Sequence, residues 1–224
     1  MSSDWEAVAL TAQLAAVTTL LLLLIGSPVA WWLARSKHPM KPLVEAVVAL
    51  PLVLPPTVLG FYLLVFLNPD SVLGSLWLQL TDETLTFSFA GLVVASLVYS
   101  LPFMVQPLQT AFAAIGDDFL EAAATMRASP VDRFFSLVLP LTRRGYLAAA
   151  TLTFAHTVGE FGVVLMIGGN IPGETRVLSI AIFEHVEMVN YPAAHSLSLG
   201  LLLFSFVVLA VVYGLNRRPV AGIR

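Results

Sequence analysis

Apolar residues run along this chain in long, nearly uninterrupted blocks. They show neither the alternation of half-buried strands nor the single stripe of surface helices. Five blocks are long enough to cross about 30 Å of hydrocarbon as helix. They fall near residues 10–34, 43–67, 86–108, 145–167 and 193–215. The pattern predicts an all-α integral membrane protein with about five transmembrane helices, one membrane domain over residues 8–215 and a short tail at 216–224. The first block does not read as a secretory signal, because its flank carries Asp4 and Glu6 rather than basic residues and it runs too long. Proline is expected to break three blocks: Pro28 in the first, Pro51, Pro55 and Pro56 in the second, Pro102 and Pro107 in the third. Such breaks serve kinked packing or a pathway-lining helix, since freed carbonyls inside lipid need a partner or a watery cavity.

A different pattern lies between the third and fourth blocks. Asp117 and Asp118 supply the carboxylates that favour a helix start, and Glu121 with Ala122, Ala123 and Ala124 continues it. Ser129-Pro130 restarts a helix, with Ser129 as cap, Pro130 at the first position and Asp132 at a capping-box-like spacing. Phe134, Phe135, Leu137 and Val138 give this second helix more apolar surface than a free loop needs, and Pro140 is expected to end it. The residues alone allow a helix lying on the membrane or an element that grips a partner.

Charge gives the chain a direction. It has 58% hydrophobic and only 11% charged residues, far from the roughly 25% charged of soluble domains. Ten of the eleven basic residues fall on one side of a five-span topology: Arg35, Lys37 and Lys41; Arg127, Arg133, Arg143 and Arg144; Arg217, Arg218 and Arg224. The other side holds Asp4, Glu6, Asp70, Asp82, Glu83, Glu174, Glu184 and Glu187, with Arg176 alone against them. The positive-inside rule then puts the amino terminus outside, the carboxyl terminus inside and the Glu121 loop in the cytoplasm. A sixth span would break this agreement.

Several chemistries are excluded. With no cysteine there are no disulfides, thiol nucleophiles or cysteine metal sites. Neither Lys37 nor Lys41 follows a glycine-rich turn, so no phosphate-binding loop is present, and no His-Glu-x-x-His occurs. His156 and Glu160 share a helix face in the fourth block, which suits a proton relay or a hydrogen-bonded packing pair. Hydroxyls at Thr57, Ser100, Thr153 and Thr157 are candidate contacts along a substrate pathway. Beyond the fourth block, Asn170-Ile171-Pro172-Gly173 reads as a turn. A short amphipathic helix is expected to follow, with Leu178, Ile182, Val186 and Val189 on one side.

The spacing of Glu121-Ala122-Ala123, three residues, Arg127, nine residues, Leu137, one residue and Leu139-Pro140 resembles the signature cytoplasmic loop of bacterial ABC-importer permeases, with Arg127 where that family has Gly. Residues 52–60 (Leu-Val-Leu-Pro-Pro-Thr-Val-Leu-Gly) and 99–107 (Tyr-Ser-Leu-Pro-Phe-Met-Val-Gln-Pro) resemble core spans of molybdate permeases. So do Gly159-Glu160-Phe161-Gly162, shared with sulfate permeases, and the run from Asn170 to Arg176. The resemblance implies a type I ABC importer permease fold, with residues 117–143 as the ATPase-coupling loop. Glu121, Ala122, Ala123, Arg127, Ser129, Phe134, Phe135, Leu139 and Pro140 are its expected contact residues. The implied partners are a second copy of the chain, a cytoplasmic ATPase dimer that uses ATP, an extracytoplasmic molybdate-binding protein and the lipid bilayer, with no nucleic acid. No cofactor is expected on this chain, and Glu174, Glu184 and Glu187 are candidates for docking the binding protein. A tungstate or sulfate permease, or a gradient-driven anion carrier, is the alternative.

Overall fold

The computed structural model describes residues 2–126 and 129–216. Among them every regular element is helical: α1 (Ser2–Arg35), α2 (Lys41–Val53), α3 (Pro56–Leu67), α4 (Val72–Thr81), α5 (Phe89–Ala113), α6 (Asp117–Thr125) and α7 (Pro130–Arg133). A π-helical stretch, Phe134–Val138, leads from α7 into α8 (Leu139–Val158), which is followed by α9 (Gly162–Gly168), α10 (Leu178–Glu187) and α11 (Tyr191–Asn216).

Three helices, α1, α5 and α11, are each long and apolar enough to cross a membrane, and two bent pairs bring the number to as many as five. α2 and α3 meet at 114°, and Pro130–Val158 meets α9 at 60°. The five apolar blocks therefore correspond to real elements, but the second and fourth are each two helices. The 10-residue α4 is too short to cross, at about 15 Å of helix.

The expected proline breaks are corrected in two of three cases. Pro28 lies within α1, and Pro102 and Pro107 within α5, without ending either helix. A lone proline removes one backbone bond, which a well-packed helix tolerates. The pair Pro55-Pro56 does break the chain. Leu54 and Pro55 are both extended, with ψ 136° and 137°, because each precedes a proline ring that disfavours the helical region. Pro140 also departs from expectation, since the helix runs through it. The Leu139 N–H bonds the Phe134 carbonyl five residues back, and this wider turn takes the proline without a stop.

The core sits where α1, α5 and α8 cross. Leu22, Leu33, Met104, Leu108, Phe112 and Val138 are buried there. A second contact joins the two bent pairs: a Cβ on Gly162 would stand 2.8 Å from Pro56 Cβ, and one on Gly60 2.9 Å from Met166 Cβ. Only glycine lets α3 and α9 approach this closely. α11 is at the other extreme, with 6% of its most apolar stretch buried against 44% for α5. Such a helix needs an apolar surrounding to be stable.

Candidate functional site

The element singled out between the third and fourth blocks folds as two helices with a turn. α6 starts at Asp117, and its exposed side chains include Asp117, Asp118, Phe119 and Glu121, while Ala123 is half-buried. The Ala122 side chain and Arg127 lie outside the described residues. Ser129 caps α7 as expected, accepting from the Asp132 N–H at 3.1 Å, and Asp132 Oδ1 accepts from Ser136 Oγ at 2.9 Å. Phe134 is half-buried and meets Phe135 edge-on at 5.2 Å, leaving Phe135 61% exposed. Leu139 is half-buried and Pro140 exposed. Phe119, Met126 and Val131 add further exposed apolar surface that the motif reading missed. Their signal was present as lone apolar residues in an otherwise polar segment. Beneath this surface lies a cleft of about 470 Å³ lined by Pro28, Trp31, Leu120, Arg133 and Phe134.

The candidate pathway hydroxyls divide. Thr57 is exposed in the first turn of α3. Ser100, Thr153 and Thr157 are buried, and the Ser100 and Thr157 hydroxyls bond to neighbouring residues while that of Thr153 does not. Ser100 Oγ lies 2.9 Å from Thr157 Oγ1 and 3.0 Å from His156 Nδ1, and Thr157 Oγ1 donates to the Thr153 carbonyl. A hydroxyl bonded inside an apolar helix pair helps to fix the crossing. His156 is stacked on Phe103 at 3.9 Å between centroids. Glu160 lies at the bend between α8 and α9, 3% exposed, with Oε2 accepting from Ser96 Oγ at 2.9 Å. His156 and Glu160 thus bond to different serines of α5.

At the far end of the bundle from α6, Asn170 to Arg176 forms the expected turn and α10 the expected short helix. Its buried residues are Leu178, Ile180 and Ala181, whereas Val186 and Val189 are 45% and 67% exposed, so the apolar stripe is shorter than its spacing suggested. Glu174 and Glu187 are exposed. Glu184 is half-buried, with its carboxylate 2.8 Å from Arg176 Nη2 in a cluster with Asp4 and His185.

A family model described as the inner membrane component of binding-protein-dependent transport systems matches residues 10–220. The chain belongs to that family. Among curated relatives, the permease is 59% identical to the molybdenum transport system permease protein ModB of Azotobacter vinelandii, over 98% of this chain and 97% of that one. It is 36% identical to ModB of Escherichia coli K12 over 82% and 80%, and 33% identical to the sulfate transport permease CysT of that organism over 86% and 69%. The fold matches a subunit of a bacterial ABC transporter that imports the polysaccharide alginate, with TM-score 0.77, 16% identity and coverage of 98% and 81%. It also matches one from the MetNI methionine ABC transporter, with TM-score 0.67, 18% identity and coverage of 96% and 95%. The permease is a membrane transport component rather than an enzyme, and its family works with an ATPase and a binding protein.

Proposed function

We propose that two copies of this permease form the translocation pathway of an ATP-driven molybdate importer, with molybdate delivered by an extracytoplasmic binding protein. The observation that carries the substrate is the 59% identity to a molybdenum permease along nearly the whole chain. A transport assay decides it. Labelled molybdate uptake should return when the gene is restored to a deletion strain, and excess sulfate should compete poorly. Uptake that follows sulfate instead would assign the other oxyanion.

The exposed surface of α6 and α7 is the ATPase contact in this reading. Glu121→Lys and Ala123→Asp place a wrong charge there and should abolish uptake and weaken ATPase co-purification without preventing insertion. The basic bias supports a cytoplasmic position for α6 and an outer position for α10. With no native cysteine, single cysteines at the exposed Asp70 and Glu174 should react with an impermeant maleimide in sealed cells, and one at Glu121 should not. Thr57 is the pathway hydroxyl left free to face a pore between two copies. Glu174 and Glu187 remain the binding-protein contacts of this proposal.

A further inference from the structure

The coupling helix α6 is held to the bundle at few points. Asp117, Asp118, Phe119, Glu121 and Thr125 are exposed, and Leu120 packs against the core beside Trp31. The polar tie is made by Arg35, the last residue of α1. Its Nη1 donates to Asp117 Oδ1 at 2.7 Å, and its Nη2 donates to the carbonyls of Phe112 at 3.0 Å and Ile115 at 2.8 Å, at the end of α5. The guanidinium carbon lies 5.3 Å from the centre of the Trp31 ring on the same helix. One planar group therefore joins α1, α5 and α6. Aromatic contacts extend the junction, since Phe112 meets Trp31 edge-on at 5.2 Å and Tyr146 of α8 at 5.9 Å.

An ion pair with an 80% exposed carboxylate contributes little by itself. Here the two carbonyls and the ring have already fixed the guanidinium, so Asp117 meets a donor whose orientation is set. Lysine cannot replace it, because one ammonium on a flexible stem does not present a rigid fork to three acceptors.

We infer that Arg35 is a positioning residue that sets the angle of α6 against the bundle, so that displacement of the coupling helix is passed to α1 and α5 together. This rests on the reading of α6 as the ATPase contact. The test uses the whole importer, permease with its ATPase and binding protein, in proteoliposomes, and measures molybdate transported per ATP hydrolysed. Asp117→Asn and Arg35→Lys should assemble and hydrolyse ATP, yet lower that ratio by roughly threefold or more. Lys41→Gln, which removes a half-buried charge paired with Glu45 on α2, should leave it unchanged. An unchanged ratio in both variants overturns the inference. So does a fall in transport that only mirrors a fall in hydrolysis, which is what a merely structural role gives. Failure of the underlying reading looks different: Glu121→Lys and Ala123→Asp would then keep the ATPase bound and transport normally.

Discussion

The two ends of α1 are anchored by one arginine each, in opposite ways. At the end away from α6, Arg176 comes from the loop before α10 and reaches Glu184 at 2.8 Å and Asp4 at 3.7 Å, while His185 lies 3.2 Å from Asp4. Its side chain is 9% exposed, so the carboxylates are the partners that compensate a nearly buried charge. At the other end Arg35 belongs to α1 itself, relies on backbone carbonyls and a ring, and shares its charge with a carboxylate open to solvent. The first arrangement holds the fold through charge compensation. The second holds an angle through geometry.

The comparison is broken most directly by Arg176→Met. Removing the cation strands Glu184 and leaves Asp4 only His185, and should cost about 3 kcal/mol, read as a lower Tm in detergent and a poorer membrane yield. Arg35→Met should cost about 1–2 kcal/mol in the same melting experiment, because its carbonyl acceptors lie near the bundle end and recover water. If the two losses are equal, the ends do not differ as described. Asp4→Asn should cost about 0.5–1 kcal/mol, since it leaves the shorter Glu184 contact in place. Asp117→Asn should change stability least, by under about 0.5 kcal/mol, while still lowering transport per ATP. That dissociation of stability from transport sharpens the comparison more than any large loss.

Much of this was written plainly in the chain. Apolar runs of 20 residues or more can hardly be anything but spans, and Ser129-Pro130 and Pro55-Pro56 each dictate local backbone through one or two rings and a hydroxyl. The Glu121 motif marked the helix–turn–helix of α6 and α7 because its spacing lies in one contiguous segment. What was not legible depends on partners far along the chain. Ser100 and Thr157 are 57 positions apart, and nothing local to either tells a packing hydroxyl from a pathway one. Arg176 looked like the lone exception to a charge rule, yet it is the centre of a cluster whose members come from positions 4, 184 and 185. Arg35 was counted only as a loop charge for the same reason. Pro140 misled because a proline in sequence reads as a stop, and a π turn that absorbs it leaves no local signature.

That π turn fixes a phase. The stretch Phe134–Val138 carries one residue more per turn than an α-helix would, so the faces before and after it are offset by about 100° from a plain helical count. Removing one residue would let the segment close as ordinary α-helix with the downstream phase nearly kept, whereas closing all five residues as α-helix would rotate everything downstream by that angle relative to Ser129. Thr157 and His156 would then swing away from Ser100, although every side chain they need would still be present. Five residues keep that phase here only as a π turn. The register between the surface proposed to meet the ATPase and the face that packs on α5 is set by residue count and turn type together, like the cut of a key.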